Sequence, residues 1–265
     1  MIREAKINKQ DLTVVWLDLA NAYGTVPHQL IDFALKHHHV PEHIQNIVRS
    51  YYSDINMRFT TRNFTTSWIQ LEKGIVTGCT VSVILFIAAM NLIMKAGDRE
   101  TRGPKTKSDI RLPLNRGFMD DLTIITESHI QARWLLNALK DVITWARMSF
   151  KPRKSRVMIL RKGKVWPNTT LRVQGEEIPS LINNPVKCLG KWFDTTLSDT
   201  NSTERTKQQQ QGGLKKIDGT GLPGKFKAWM FQHGLLPRLL WQLTLYEVPT
   251  STVDGLETMV NRYQQ

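Results

Sequence analysis

Residues 13–17 form a short run of β-branched and apolar side chains that ends in a single acid, Asp18, which predicts a buried strand feeding a turn. A helix is expected from about Pro27 to Lys36. A second should begin at Pro41, since proline is favoured in the first helical turn. Residues 58–71 alternate Thr, Phe, Trp and Ile around Asn63 and predict a β-hairpin. The longest apolar stretch, 81–94, contains Ser and Asn and falls short of the roughly 20 residues a membrane span needs, so it predicts a buried helix. Residues 98–108 are polar and basic, as in a loop. Over residues 128–148, Ile130, Trp134, Leu135, Ala138, Leu139, Val142 and Trp145 recur at helical spacing, so one face of that helix should pack on a sheet. Two further strands are expected at 157–160 and 171–173. Between 194 and 213 the chain turns polar, with four consecutive glutamines (Gln208 to Gln211), and reads as a linker or the solvated start of a helix. Residues 225–244 and 253–263 then carry the spacing of two amphipathic helices. The expected organisation is residues 1–193, a linker at 194–213, and a helical region at 214–265.

Composition narrows the partners. A formal charge of +13 on 265 residues and a pI near 9.9 suit a polyanion, although an ordinary basic surface gives the same numbers. The cations gather at 151–156, 161–164, 215–216 and 225–227, with Trp166, Phe226, Trp229 and Phe231 interleaved. Phosphate contacts carry affinity without base information, so this pattern argues for backbone binding rather than a specific DNA site. Cys79 and Cys188 are too few for a disulfide framework, and the first residues lack the apolar core of a signal peptide. An intracellular location, cytoplasm or nucleus, is expected, with no membrane association. His37, His38, His39 and His43 invite a metal reading. Only His39 and His43 have i, i+4 spacing, no acid or Cys pair completes a set, and solvated imidazoles at a helix end account for them.

Residues 117–125 read Gly-Phe-Met-Asp-Asp-Leu-Thr-Ile-Ile. Successive side chains of an extended strand point to opposite faces, but at the bend of a hairpin Asp120 and Asp121 can lean toward one cation. Alone, such a tetrapeptide is as well explained by a solvated turn. Asp18, at the end of its own strand, supplies the second half: an acid there is a common ligand for Mg²⁺, which demands oxygen donors. Asp18 and Asp120 on neighbouring elements could clamp two metals about 3.5–4 Å apart. The order and separation look like the palm of a template-dependent polymerase.

Five stretches then carry a family resemblance. Residues 16–28 (WLDLANAYGTVPH), 77–86 (TGCTVSVILF), 118–121 (FMDD), 150–155 (FKPRKS) and 187–190 (KCLG) resemble, in order, the palm and primer-grip motifs of a reverse transcriptase domain of the non-LTR retrotransposon type. The resemblance implies an α+β fold: a right-hand polymerase palm of antiparallel sheet with packed helices, partial fingers, and a helical thumb. It implies RNA-directed DNA polymerisation with an RNA template, a DNA primer, dNTPs and two Mg²⁺ ions, with Mn²⁺ as a substitute. Metal contact falls by resemblance to Asp18, Leu19, Asp120 and Asp121, nucleotide contact to Tyr23, Thr77 and Gly78, and the primer grip to Cys188, Leu189 and Gly190. Lys154 stands where a lysine can protonate departing pyrophosphate, the alternative being a phosphate-binding basic loop. The ring of Tyr23 would lie under the incoming sugar and collide with a 2′-hydroxyl. Its plain alternative is a core aromatic.

The departures are specific. Gly24 replaces the second acid of the first motif, Thr77 a glutamine, Thr80 and Val83 the prolines of the second motif, and Cys188 a tyrosine. With 17 residues before Asp18, an N-terminally truncated domain is expected, short of the basic fingers strands. A catalytically inactive palm-thumb fragment that at most binds nucleic acid is therefore the alternative function. A viral RNA polymerase is disfavoured by Tyr23.

Overall fold

The computed structural model describes residues 1–264. The chain divides into two compact units, Met1–Asn184 and Pro185–Gln265. In the first, helix α1 (Ile2–Ile7) precedes strand β1 (Leu12–Asp18). Helices α2 (Ala22–Thr25), α3 (His28–His37) and α4 (Glu42–Ser53) follow, then the hairpin β2 (Asn56–Met57) and β3 (Ile69–Gln70) and the long helix α5 (Thr80–Gly97). Strands β4 (Asn115–Phe118) and β5 (Asp121–Thr126), helix α6 (His129–Trp145), and strands β6 (Arg156–Arg161), β7 (Lys164–Val165), β8 (Leu171–Val173) and β9 (Glu176–Ile178) complete it.

Five strands form one sheet in the order β4-β5-β1-β6-β7, every neighbouring pair antiparallel. The register sorts its faces, because opposed residues share a side and neighbours in sequence do not. Leu17 opposes Leu122, Val15 opposes both Ile124 and Val157, and Thr13 opposes Ile159. The apolar members of that set are buried in one cluster with Ile31 of α3, Phe86 and Ile93 of α5, and Leu135 and Leu139 of α6. The other face carries Asp18 opposite Asp121, and Trp16 opposite Thr123 and Arg156. One face thus packs on α3, α5 and α6, and the acids stand on its reverse, at the end of a second buried row of Leu12, Val14, Trp16, Met158 and Leu160.

Helix α6 starts as its sequence predicts: Ser128 is the N-cap, its side chain accepting from the Gln131 N–H. Helix α5 is apolar and long enough to cross a membrane by length and composition. Leu85, Phe86, Ala89, Met90 and Ile93 are buried, while Val81, Ile84 and Ile87 are exposed. The expectation of a buried helix therefore holds for one of its faces. The predicted hairpin at 58–71 pairs only at β2–β3 and at a Thr60–Thr65 bridge. Phe59, Phe64 and Trp68 lie exposed on it, with Arg58 stacked 4.8 Å over the Trp68 ring.

The second unit contains the hairpin β10 (Val186–Cys188) and β11 (Lys191–Phe193), then α7 (Thr200–Asp218), α8 (Gly224–Met230), a π-helical turn (Phe231–Leu235), α9 (Leu236–Leu245) and α10 (Thr250–Gln264). Two expectations are corrected here. The division falls at 184/185 rather than after 193, because the hairpin bonds to the helices that follow. The Trp192 N–H donates to the Tyr246 hydroxyl (3.0 Å), and Lys191 Nζ donates to Asp199 (2.9 Å) and to the Leu245 carbonyl (3.1 Å). Of the two readings of 194–213, linker or solvated start of a helix, the linker is corrected: most of the stretch belongs to helix α7. Its buried residues Thr203, Thr206, Gln210 and Leu214 lie at i, i+3, i+7 and i+11, a helical stripe that is polar and so leaves no apolar rhythm. Gln210 donates to the Leu256 carbonyl (2.7 Å) and Thr206 to Gln242 (2.6 Å). Residues 225–244, predicted as one helix, are interrupted at 231–235. Pro237 cannot donate to the carbonyl four residues back and its ring crowds it, so the ladder widens by one residue there.

Candidate active site

Strand β1 delivers Asp18 to the end of the sheet because five of its residues are apolar and buried on both faces, leaving the acid as the first side chain to emerge. The following turn reverses at Asn21, in the left-handed region (φ 44°), and opens α2 with Tyr23. Strands β4 and β5 are joined by a two-residue turn, Met119-Asp120, with Met119 at φ 54°. Asp121 is therefore the first residue of β5 and the direct cross-strand partner of Asp18. Opposed residues of an antiparallel pair have Cβ atoms about 4.5–5.5 Å apart. Partial desolvation, followed by the negative charges of Asp120 and Asp18, holds the Asp121 carboxyl above its ordinary range. Both neighbouring acids thus bear on Asp121.

The loop 149–155 closes over the end of β1. Leu19 and Phe150 form a bridge, the Ala20 N–H donates to the Ser149 carbonyl (2.8 Å), and the Lys151 N–H donates to the Asp18 carbonyl (2.7 Å). Ser155 Oγ accepts from the Asp18 N–H (3.1 Å) and donates to the Lys151 carbonyl (3.0 Å). The Asp18 carboxylate meets Lys151 Nζ at 3.8 Å through Oδ1, an atom that is itself buried and has no hydrogen-bond donor. A buried carboxylate oxygen without a donor is costly. A hard cation is the partner its chemistry suits, and an all-oxygen donor set with a second carboxylate across the strand fits a divalent ion such as Mg²⁺. Among the described residues, no three Asp, Glu, His or Cys side chains close around a single point. Cross-strand pairing brings Asp18 and Asp121 to one sheet end, with Asp120 in the adjoining turn.

Tyr23 is half-buried. Its ring stacks on Phe86 of α5 (centroids 4.6 Å apart, planes 14° apart), and its hydroxyl reaches the sulfur of Met119 at 3.7 Å. Burial and then the charge of Asp120 raise its pKa, so the phenol stays protonated. Tyr23 thus packs against the core from a half-buried position beside the acidic turn. Thr77 and Gly78 form the turn before α5. Gly78 has φ 90°, a value that favours glycine, and a Cβ there would meet nothing within 4 Å. The side toward which a side chain would project is open.

Two of the candidate groups lie on turns of their own. Lys154 is exposed in the turn 151–155, its N–H donating to the Lys151 carbonyl, and the lysine facing Asp18 is Lys151. Cys188, Leu189 and Gly190 belong to the second unit. There Leu189 (φ 48°) and Gly190 (φ 88°) form the tight turn of the β10–β11 hairpin, whose twist favours left-handed residues. Ser155 and Met119 had no assigned role. Ser155 lies within the fourth motif, but its function depends on a backbone partner 137 positions away.

The family model for reverse transcriptase (RNA-dependent DNA polymerase) matches residues 2–193. The chain belongs to the reverse transcriptase family. Its curated relatives include Retrovirus-related Pol polyproteins from the type-1 retrotransposable element R2. The protein of Nasonia vitripennis is 22% identical over 99% of this chain and 26% of its own length. That of Popillia japonica is 23% identical over 98% of this chain and 43% of its own, and that of Bradysia coprophila 21% over 99% and 30%. This is a reverse transcriptase domain of the non-LTR type, and it spans about a quarter to two-fifths of the length of these relatives.

Proposed function

We propose that this reverse transcriptase domain extends a DNA primer on an RNA template by nucleotidyl transfer to the primer 3′-hydroxyl, as part of a retroelement protein. The observation that carries the reading is the pairing of Asp18 with Asp121 on the sheet face away from α3, α5 and α6, with a buried Asp18 oxygen lacking a donor. In this reading the first unit is the palm with part of the fingers, the second a thumb, and the turn at Cys188, Leu189 and Gly190 the primer grip. Asp18, Asp120, Asp121 and the backbone at Leu19 would hold two Mg²⁺ ions, or Mn²⁺ in their place. Bound there, such ions lower the pKa of the attacking hydroxyl and offset charge on the pyrophosphate. Tyr23, backed by Phe86 and Met119, forms a rigid wall for the sugar. The turn at Thr77 and Gly78 offers open backbone to the incoming nucleotide. Lys151 and Lys154 bring positive charge to the loop beside Asp18, where phosphates would gather.

The second reading is a domain that binds primer-template without extending it. It draws on Gly24 and Thr77 in place of the family's acid and glutamine, and on acids that stop short of one coordination sphere. Primer extension on RNA with Mg²⁺, wild type against Asp120→Asn, decides between them. A loss of about 10³-fold or more in the variant, with primer-template binding kept, supports polymerisation. Equal, background-level extension by both proteins overturns it.

A further inference from the structure

We propose that His28, the first residue of α3, is a positioning residue that fixes the turn at Thr77 and Gly78 relative to Tyr23; this rests on the polymerase reading and deepens it. His28 Nε2 lies 2.8 Å from the Gly74 carbonyl. A carbonyl only accepts, so Nε2 carries the hydrogen and donates. Two backbone bonds run alongside: the Gly74 N–H donates to the Val26 carbonyl and the Ile75 N–H to the Tyr23 carbonyl, each 2.8 Å. Gly74 has φ 87°, and a Cβ there would fall 2.9 Å from the Gly24 carbonyl oxygen, so residues 74–75 run in direct backbone contact with α2. The His28 ring also packs 4.8 Å from the Tyr52 ring, and the Tyr52 hydroxyl shares a hydrogen bond of 3.3 Å with buried Ser82 in the first turn of α5.

His28 therefore grips both ends of the segment 74–82: the start directly through Gly74, the end through Tyr52 and Ser82. Thr77 and Gly78 lie between those grips, and Tyr23 is tied to the first of them through Ile75. Removing the imidazole donor leaves the Gly74 carbonyl without that partner and frees the segment to open locally. The consequence falls on the nucleotide site rather than on the acids, because Asp18 and Asp121 are held by the sheet.

The test uses three variants. His28→Phe keeps a ring against Tyr52 and removes the donor, His28→Ala removes both, and His28→Gln restores a nitrogen donor of similar reach. Amide hydrogen exchange across residues 74–79 should speed up about tenfold in Phe and Ala and return toward wild type in Gln. The KM for dNTP should rise by a similar factor with kcat within about threefold, and ribonucleotide rejection should weaken, again rescued by Gln. Wild-type exchange and KM in His28→Phe overturn the proposal, as does a Gln variant no better than Ala. If the wild-type chain extends no primer, the polymerase reading fails, and exchange in His28→Phe alone decides whether the grip exists.

Discussion

In the first unit the buried face of α6 is Ala132, Leu135, Leu136, Leu139 and Ile143, whereas in the second the buried face of α7 is Thr203, Thr206, Gln210 and Leu214. Both helices are of similar length and both pack on one stripe at the same spacing. The first is held by burial of apolar area, which is non-directional and set by volume. The second depends on named donors and acceptors, Gln210 to Leu256 and Thr206 to Gln242, around a small apolar cluster of Leu214, Leu235 and Leu239. One of its two glycines allows close approach: a Cβ at Gly213 would lie 2.6 Å from a Leu235 methyl carbon. A sheet-backed core tolerates exchange of one hydrocarbon for another. A hydrogen-bonded stripe fixes register with few contacts, each of modest weight.

The largest expected effect lies in the apolar half. Leu135→Ala should cost about 2–5 kcal/mol, since the side chain is fully buried and its removal leaves a cavity under the sheet. Urea unfolding of the whole chain reads this, and a cost below about 1 kcal/mol would mean the cluster can collapse around the gap. Next comes Tyr23, where packing and chemistry meet. Tyr23→Ala should lower discrimination against ribonucleotides by about 10- to 100-fold in primer extension, and unchanged sugar selection would leave the ring a core aromatic only. Gln210→Ala is milder, about 1–2 kcal/mol, because it removes one buried donor and little hydrocarbon. If it costs as much as Leu135→Ala, the contrast between the two stripes fails.

The smallest effect concerns the acids. The folded-state pKa of Asp121 lies above its unfolded value, so its ionisation opposes folding of the metal-free chain. That stability is fully present below the unfolded pKa and is lost as pH rises through the raised one. Asp121→Asn should therefore raise the melting temperature of metal-free protein at neutral pH, and the gain should vanish on acidification. A gain that grows toward low pH would carry the wrong sign.

The same contrast explains what could be read from the residues alone. Strand β1 and helix α6 were legible because their periodicity is apolar, and so was the acidic turn between β4 and β5. The opposition of Asp18 to Asp121, rather than to Asp120, was not: it is a matter of register between strands about a hundred residues apart, which neither segment encodes by itself. Helix α7 was only half legible: its Gln, Lys, Arg and Glu favour helix, but its buried stripe is mostly polar, so no apolar periodicity marked where it packs, and tertiary hydrogen bonds fix it. Lys151 and Lys154 are indistinguishable by composition, and only the pairing of residues 149–151 with 18–20 tells which one faces the acid.

The back-to-back glycines, Gly24 and Gly74, bear on any attempt to return the first motif to its usual form. Position 24 is hemmed by the Asn21 side chain on one side and by the chain at 74 on the other. Aspartate at 24 would have to turn the exposed Asn21 side chain to another rotamer, whereas Gly74, with φ 87° and the backbone of residue 24 at 2.9 Å from any Cβ, must stay glycine. Libraries that vary 24 can therefore leave 21 free to adapt, but should hold 74 fixed.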